Sequence, residues 1–277
     1  MSLAPHLDQL LPLAALLLLI GAAAGVIAGL LGVGGGIVLV PAFLYAFTTL
    51  GYGGPMIMQV CLATSLATIV FTSARSVRAH AARGAVDRGI LRGWGPGIAA
   101  GAVIGVIVAG GMRTTALMLI FGVLGTIVGL YLAFGRESWR LGDQLPTGLG
   151  RMVTAPVIGF LSVLMGIGGG SFGVPLMRLY GVPIHRAVGT ASGFGLMIAV
   201  PSVIGFLLQG WSAPDLPPLT VGLVNLPAFL IVIGVTMVTT TWGVRLAHAM
   251  DPRPLKLAFA GFIMLMALNM LRAALTG

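Results

Sequence analysis

Apolar residues in this chain fall into long unbroken runs instead of alternating with polar ones. Runs bounded by charge, proline or glycine clusters cover 10-31, 37-50, 56-74, 93-111, 114-134, 152-167, 171-181, 187-208, 219-242 and 255-275. A helix needs about 20 apolar residues to cross the hydrocarbon core of a bilayer, and all but three of these runs are long enough. The runs at 37-50, 152-167 and 171-181 are shorter, and each flanks a glycine triplet, Gly34-Gly35-Gly36 or Gly168-Gly169-Gly170. Short spans broken by glycine in matching places predict interrupted helices that meet inside the membrane.

The chain also repeats itself. Residues 29-41 read GLLGVGGGIVLVP and residues 163-175 read VLMGIGGGSFGVP, so Gly32 pairs with Gly166, triplet with triplet, and Pro41 with Pro175. Downstream, Ala63-Thr64-Ser65 matches Gly189-Thr190-Ala191-Ser192. The predicted units are a first transmembrane repeat at 1-134, a polar cytoplasmic linker at 135-151 and a second repeat at 152-277.

Basic residues orient the two halves. The 75-92 loop holds Arg75, Arg78, Arg83, Arg88 and Arg92 against one acid, Asp87; the linker adds Arg136, Arg140 and Arg151, and the 243-256 loop adds Arg245, Arg253 and Lys256. Positive charge marks the cytoplasmic side, so these three belong inside. The N-terminus, the 51-55 turn and the 209-218 loop carry no basic residue and belong outside. The arginine-rich 75-92 loop corresponds by repeat position to the arginine-free 209-218 loop, so the charge signs swap between halves. These assignments agree when each half contributes a glycine-broken pair, re-entrant or short, followed by three full crossings, and three is odd: the second half is inverted. Arg113 and Arg272 fall on the outside and dissent from the pattern.

Composition bounds the class. Hydrophobic residues make up 58% of the 277, glycine contributes 43 and only 8% are charged, against about 25% charged in a soluble chain. A soluble globule, a disordered chain and a disulfide scaffold are excluded, and the fold expected is an all-α polytopic membrane protein. The net charge of +9 reads as topology signal, with no basic module for nucleic acid. Met1 to Gln9 hold no lysine or arginine, so no signal peptide is expected. The expected location is the inner or plasma membrane, multi-pass, with the N-terminus outside.

Chemistry is sparse. An interrupted helix leaves amides that need partners, and each triplet precedes a helical run, so positive helix ends point at the break. Two such ends facing each other suit an anion; otherwise the glycines serve as tight turns and packing points. The candidate substrate-binding residues are Gly34, Gly35, Gly36, Gly168, Gly169, Gly170 and Ser171, with the hydroxyls of Thr64, Ser65, Thr190 and Ser192. Those hydroxyls bind an oxyanion or bond back to a carbonyl one turn earlier. Arg186 lies one turn before Thr190 and either draws anions to the cytoplasmic mouth or snorkels to the membrane surface. Gln59 and Asn225 are further buried polar candidates. Glycines spaced by four, at Gly21, Gly25 and Gly29 and at Gly93, Gly97, Gly101 and Gly105, form smooth faces for close helix packing. No metal or nucleotide motif appears and no cofactor is expected. No acidic residue falls within a predicted span, which removes the usual intramembrane carboxylate for ion coupling.

At GLLGVGGGIVLVP, MGIGGGSFGVP, the ATSL and GTAS segments and the HAARGAVD stretch from His80 to Asp87, the chain resembles the sulfite exporter TauE/SafE family. It departs where Ala191 stands in the place of Ser65, with the serine one residue later at Ser192. The resemblance implies an exporter or permease for sulfite, sulfoacetate or a related organosulfur anion. The expectation is therefore a secondary transporter of a small anion working by alternating access. An anion channel on the same scaffold, or a carrier of a non-sulfur carboxylate, is the alternative, and an enzyme is not expected. The partners expected are the anionic substrate and the lipid bilayer; a coupling proton or other ion, and a homodimer, stay open at this point.

Overall fold

The computed structural model describes residues 7–31, 35–135, 139–211, 213, 215–249 and 252–276. Ten helices take up the ten apolar runs: α1 (Leu7–Leu31), α2 (Gly36–Thr49), α3 (Ile57–Ala81), α4 (Arg88–Gly110), α5 (Thr114–Phe134), α6 (Gly148–Leu164), α7 (Gly170–Leu179), α8 (Ile184–Leu207), α9 (Leu226–Ala249) and α10 (Pro252–Thr276). Among the described residues five helices are long and apolar enough to cross a membrane, namely α3, α4, α5, α8 and the Leu226–Leu246 part of α9. The fold is an all-α polytopic membrane protein.

Two of the boundaries that differ from expectation are instructive. Helix α3 runs to Ala81 instead of stopping near residue 74, so Arg75 and Arg78 lie on its last turns and the connection to α4 is only 82–87. Charge stops a hydrophobic run without stopping a helix, because long arginine stems carry their heads to water while the backbone ladder continues. Helix α9 starts at Leu226, and the apolar residues just before it form a small antiparallel ribbon, β1 (Thr220–Val221) with β2 (Val224–Asn225), paired Thr220 to Asn225 and Val221 to Val224. Gly222 turns it with a φ of 57°.

The glycine stripes fix how the helices pack. A Cβ at Gly25 would collide with Thr239 and the Thr236 backbone, and one at Gly29 with the Thr240 carbonyl, so α1 lies along α9 in direct backbone contact. On α4, Gly97, Gly101 and Gly105 meet Ala155, Pro156 and Val163 in the same way, and Gly159 of α6 meets the Ile98 carbonyl. Both contacts run in parallel, because residue numbers rise together along them. Helices α3 and α8 instead run antiparallel, with Ser76 against Ser192, Ser73 against Gly195 and His80 against Gly189. Helices α5 and α10 do likewise, with Gly122 against Leu271, Gly125 against Ala267 and Gly129 against Met264. Helix α3 is the most enclosed of the long helices. The outer faces carry exposed Leu19, Ile107, Ile127, Val238 and Leu265, a surface suited to acyl chains instead of water.

Candidate functional site

The two glycine breaks meet in the interior. Helix α6 ends with Gly166 at a φ of 61°; its amide bonds the Val163 carbonyl at 2.9 Å and the Ile167 amide bonds the Ser162 carbonyl at 2.9 Å. This is a left-handed glycine cap that uses up the last carbonyls of the helix. Gly35, with a φ of 73°, is the N-cap of α2 and accepts from the amides of Val38 at 3.1 Å and Leu39 at 3.2 Å. A Cβ on Gly36 would collide with the Gly166 carbonyl, so the first residue of α2 sits against the end of α6. Beyond Ile167 the buried Gly168 and Gly169 lead into α7, where Gly169 packs against Phe194 and the Ala191 carbonyl of α8. The first amides of α2 and α7 have no partner within their own helices.

Ser171 stands at the start of α7. It is 4% exposed and its Oγ has no hydrogen-bond partner; the Oγ of Ser162, on the other side of the break, is also buried without a partner. Nearly every buried hydroxyl in a folded protein is bonded, so two orphans flanking one break call for a reason.

The other predicted hydroxyls are occupied. Ser65 donates to the Gly166 carbonyl at 2.7 Å, spending its proton on the rim of the break. Thr64, its neighbour, faces away and accepts from the Asn225 amide at 3.0 Å. Thr190 accepts from the Asp87 amide at 2.9 Å. Ser192 shares a bond with Ser76 at 2.9 Å and reaches the Val188 carbonyl at 3.0 Å. Arg186 pairs with Asp87 at 3.9 Å, its side chain 56% exposed. The structure thus brings Gly35, Gly36, Ser65, Gly168, Gly169, Gly170 and Ser171 to one place and sets Thr190, Arg186 and Asp87 together elsewhere, at the start of α4. Gly34 lies outside the described residues.

Asp87 and Asn225 are the residues whose roles are hardest to read in the linear sequence. Asp87 caps α4, its Oδ1 accepting from Gly89 at 2.9 Å and Ile90 at 3.0 Å. Asn225 caps α9, with Oδ1 accepting from Ala228 at 3.1 Å while Nδ2 donates to the Pro218 carbonyl and Thr220, both at 3.0 Å. Each thereby carries a helix start in one half that is held by a threonine of the other half. An Asp or Asn directly before an apolar run signals this role, but Asp87 is separated from its run by residues 88–92 and Asn225 lies inside the 219–242 run. The HAARGAVD stretch is the return of this turn: the Ala85 amide bonds the His80 carbonyl at 3.0 Å and buried His80 lies 3.2 Å from the Gly29 carbonyl. No aspartate, glutamate, lysine or arginine is buried among the described residues. Among the described residues, the polar groups at the breaks are backbone amides, carbonyls and hydroxyls.

Comparison with known proteins agrees with a polytopic membrane protein. A family model described as sulfite exporter TauE/SafE matches residues 17–270. A probable membrane transporter protein of Haemophilus influenzae is 30% identical over 92% of this chain and 97% of its own length. A probable membrane transporter protein of Methanocaldococcus jannaschii is 23% identical over 95% and 97%. A third, from Bacillus subtilis, is 28% identical over 70% and 78%. No solved structure matches.

Proposed function

The chain belongs to the sulfite exporter TauE/SafE family of membrane transporters, and from that premise we propose that it carries a small oxyanion, sulfite or an organosulfonate such as sulfoacetate, by alternating access of two inverted halves. The observation that carries the reading is the meeting of the breaks. The start of α2 lies against the end of α6, and Ser171 presents a buried hydroxyl with nothing to bond. Amide dipoles and a hydroxyl without a competing carboxylate suit an anion that must bind and also leave.

Packing supports the inversion. Helices that correspond by order, α3 with α8 and α5 with α10, run antiparallel where they touch. The α1–α9 contact becomes the α6–α4 contact when the halves are exchanged, and both rest on glycine. Thr64 and Thr190, at matching positions, each hold the N-cap of a helix from the opposite half. A twofold relation in the membrane plane reproduces all of these, and it places the breaks near its axis. The halves are then two bodies that rock about α3 and α8.

Reconstituted protein in liposomes tests this. The expected result is saturable flux of sulfite or a sulfonate that a competing sulfonate suppresses and a simple carboxylate does not. Flux that rises linearly with concentration at channel rates, or that prefers carboxylates, overturns the reading.

A further inference from the structure

A second polar site lies where α4 turns into α5, at the end of α4 away from Arg88 and Arg92. Pro55, Met56, Gln59 and the 110–115 turn enclose a cavity of about 330 Å³, at the small end of the range for ligand pockets, about 300–1,000 Å³. Three groups border it. Arg113 is exposed, and among the described residues it has neither an ion pair nor a side-chain hydrogen bond. Thr114 and Thr115 open α5, a helix of 21 residues, so their amides lack partners within it and present its positive end. Gln59 is 1% exposed and its Oε1 is buried with no partner.

The amide of Gln59 cannot be turned to satisfy that oxygen. Its Nε2 donates to the Met112 carbonyl at 2.6 Å and the Ala109 carbonyl at 3.2 Å, and exchanging nitrogen and oxygen would set Oε1 against two further acceptors. Among the described residues the orphan is an acceptor without a donor, and an O–H or N–H of a ligand would satisfy it. Arginine and helix amides ask for negative charge, and Gln59 asks for an O–H or N–H.

We propose that this cavity binds a small anion that also carries a hydrogen-bond donor, its charge toward Arg113 and the first turn of α5 and its donor on Gln59. A protonated oxyanion and a hydroxyl- or amino-bearing sulfonate or carboxylate share that chemistry. The site stands apart from the glycine breaks and gives Arg113, which breaks the pattern of basic loops, a function of its own.

The test uses the purified full-length protein with Thr115→Cys carrying an environment-sensitive fluorophore. Cys61, the only native thiol, is buried, so labelling is confined to the rim of the cavity. The probes are ethanesulfonate and 2-hydroxyethanesulfonate, alike except for one hydroxyl. The expected result is a saturable response to both, with at least fivefold tighter binding of the hydroxyl-bearing probe, and at least tenfold weaker binding of both in Arg113→Gln. No saturable response, equal affinities for the two probes, or unchanged affinity in Arg113→Gln overturns the proposal. In Ser171→Ala the response stays as in the parent; its loss there would merge the cavity with the glycine breaks and overturn a separate site. Its persistence if Ser171→Ala also leaves transport untouched would refute the site at the breaks while sparing this one.

Discussion

Thr64 and Thr190 do one job in opposite halves of the chain, yet the helix starts they hold are built differently. Each accepts from the backbone amide of an N-cap residue. At the start of α4 that residue is Asp87, whose side chain is 29% exposed and within 3.9 Å of Arg186. At the start of α9 it is Asn225, only 3% exposed. A carboxylate only accepts hydrogen bonds and needs water or a cation, whereas a carboxamide also donates. Asn225 spends both its donors on Pro218 and Thr220 and so ties the β1–β2 ribbon to the helix start. The clamp is shared by the two halves, and exposure selects the side chain. It also follows that the two threonines are fittings between halves, and that the hydroxyls at the breaks without a partner are those of Ser162 and Ser171.

The harshest way to break the comparison is to exchange the caps. Asn225→Asp loses two donated bonds and leaves a carboxylate buried beside the Pro218 carbonyl, at a cost of about 3 kcal/mol or more. Burial raises the folded pKa of such a carboxyl above its unfolded value of about 3.9. The deficit is thus smallest in acid and grows as pH rises through that raised value. Thermal unfolding in detergent across pH measures this; a variant as stable as the parent at pH 7 would contradict it.

Removing the threonine hydroxyls is milder. Thr64→Val leaves the buried Asn225 amide without an acceptor and costs about 1–2 kcal/mol. Thr190→Val costs about 1 kcal/mol or less, because water reaches Asp87. Equal losses in chemical unfolding would mean that exposure does not set the difference. Smallest of all, Asp87→Asn keeps a good N-cap residue, and Arg186→Gln breaks an ion pair worth about 0.5 kcal/mol at most. Raising the salt concentration should erase the Arg186→Gln effect, and one that survives high salt would argue for a tighter role than the geometry shows.

Much of this fold was legible in the linear sequence because lipid imposes it. Ten apolar runs became ten helices, and the glycines spaced by four on α1 and α4 became the surfaces that let α9 and α6 approach. The triplets were legible as breaks because they recur at matched positions. Less legible was what each hydroxyl touches. Thr64 meets Asn225 and Thr190 meets Asp87 across more than a hundred residues, and no local pattern records a contact that the opposite half supplies. Helix α3 outran its apolar run because charge ends a hydrophobic run before it ends a helix. Ser162 carried no signal beyond being a serine in an apolar helix.

The central claim, that an anion binds at the meeting glycine breaks, is best tested by removing one oxygen. Ser171→Ala deletes a buried hydroxyl that has no partner, so the fold loses nothing and the melting temperature of the ligand-free protein should hold or rise. A hydrogen bond to a charged ligand is worth about 1.5–3 kcal/mol. The measurement is the affinity of purified protein for sulfite and for sulfoacetate in the parent and in Ser171→Ala. A loss of roughly tenfold or more in the variant, with stability unimpaired, is the predicted result; equal affinity in the two proteins would contradict the account.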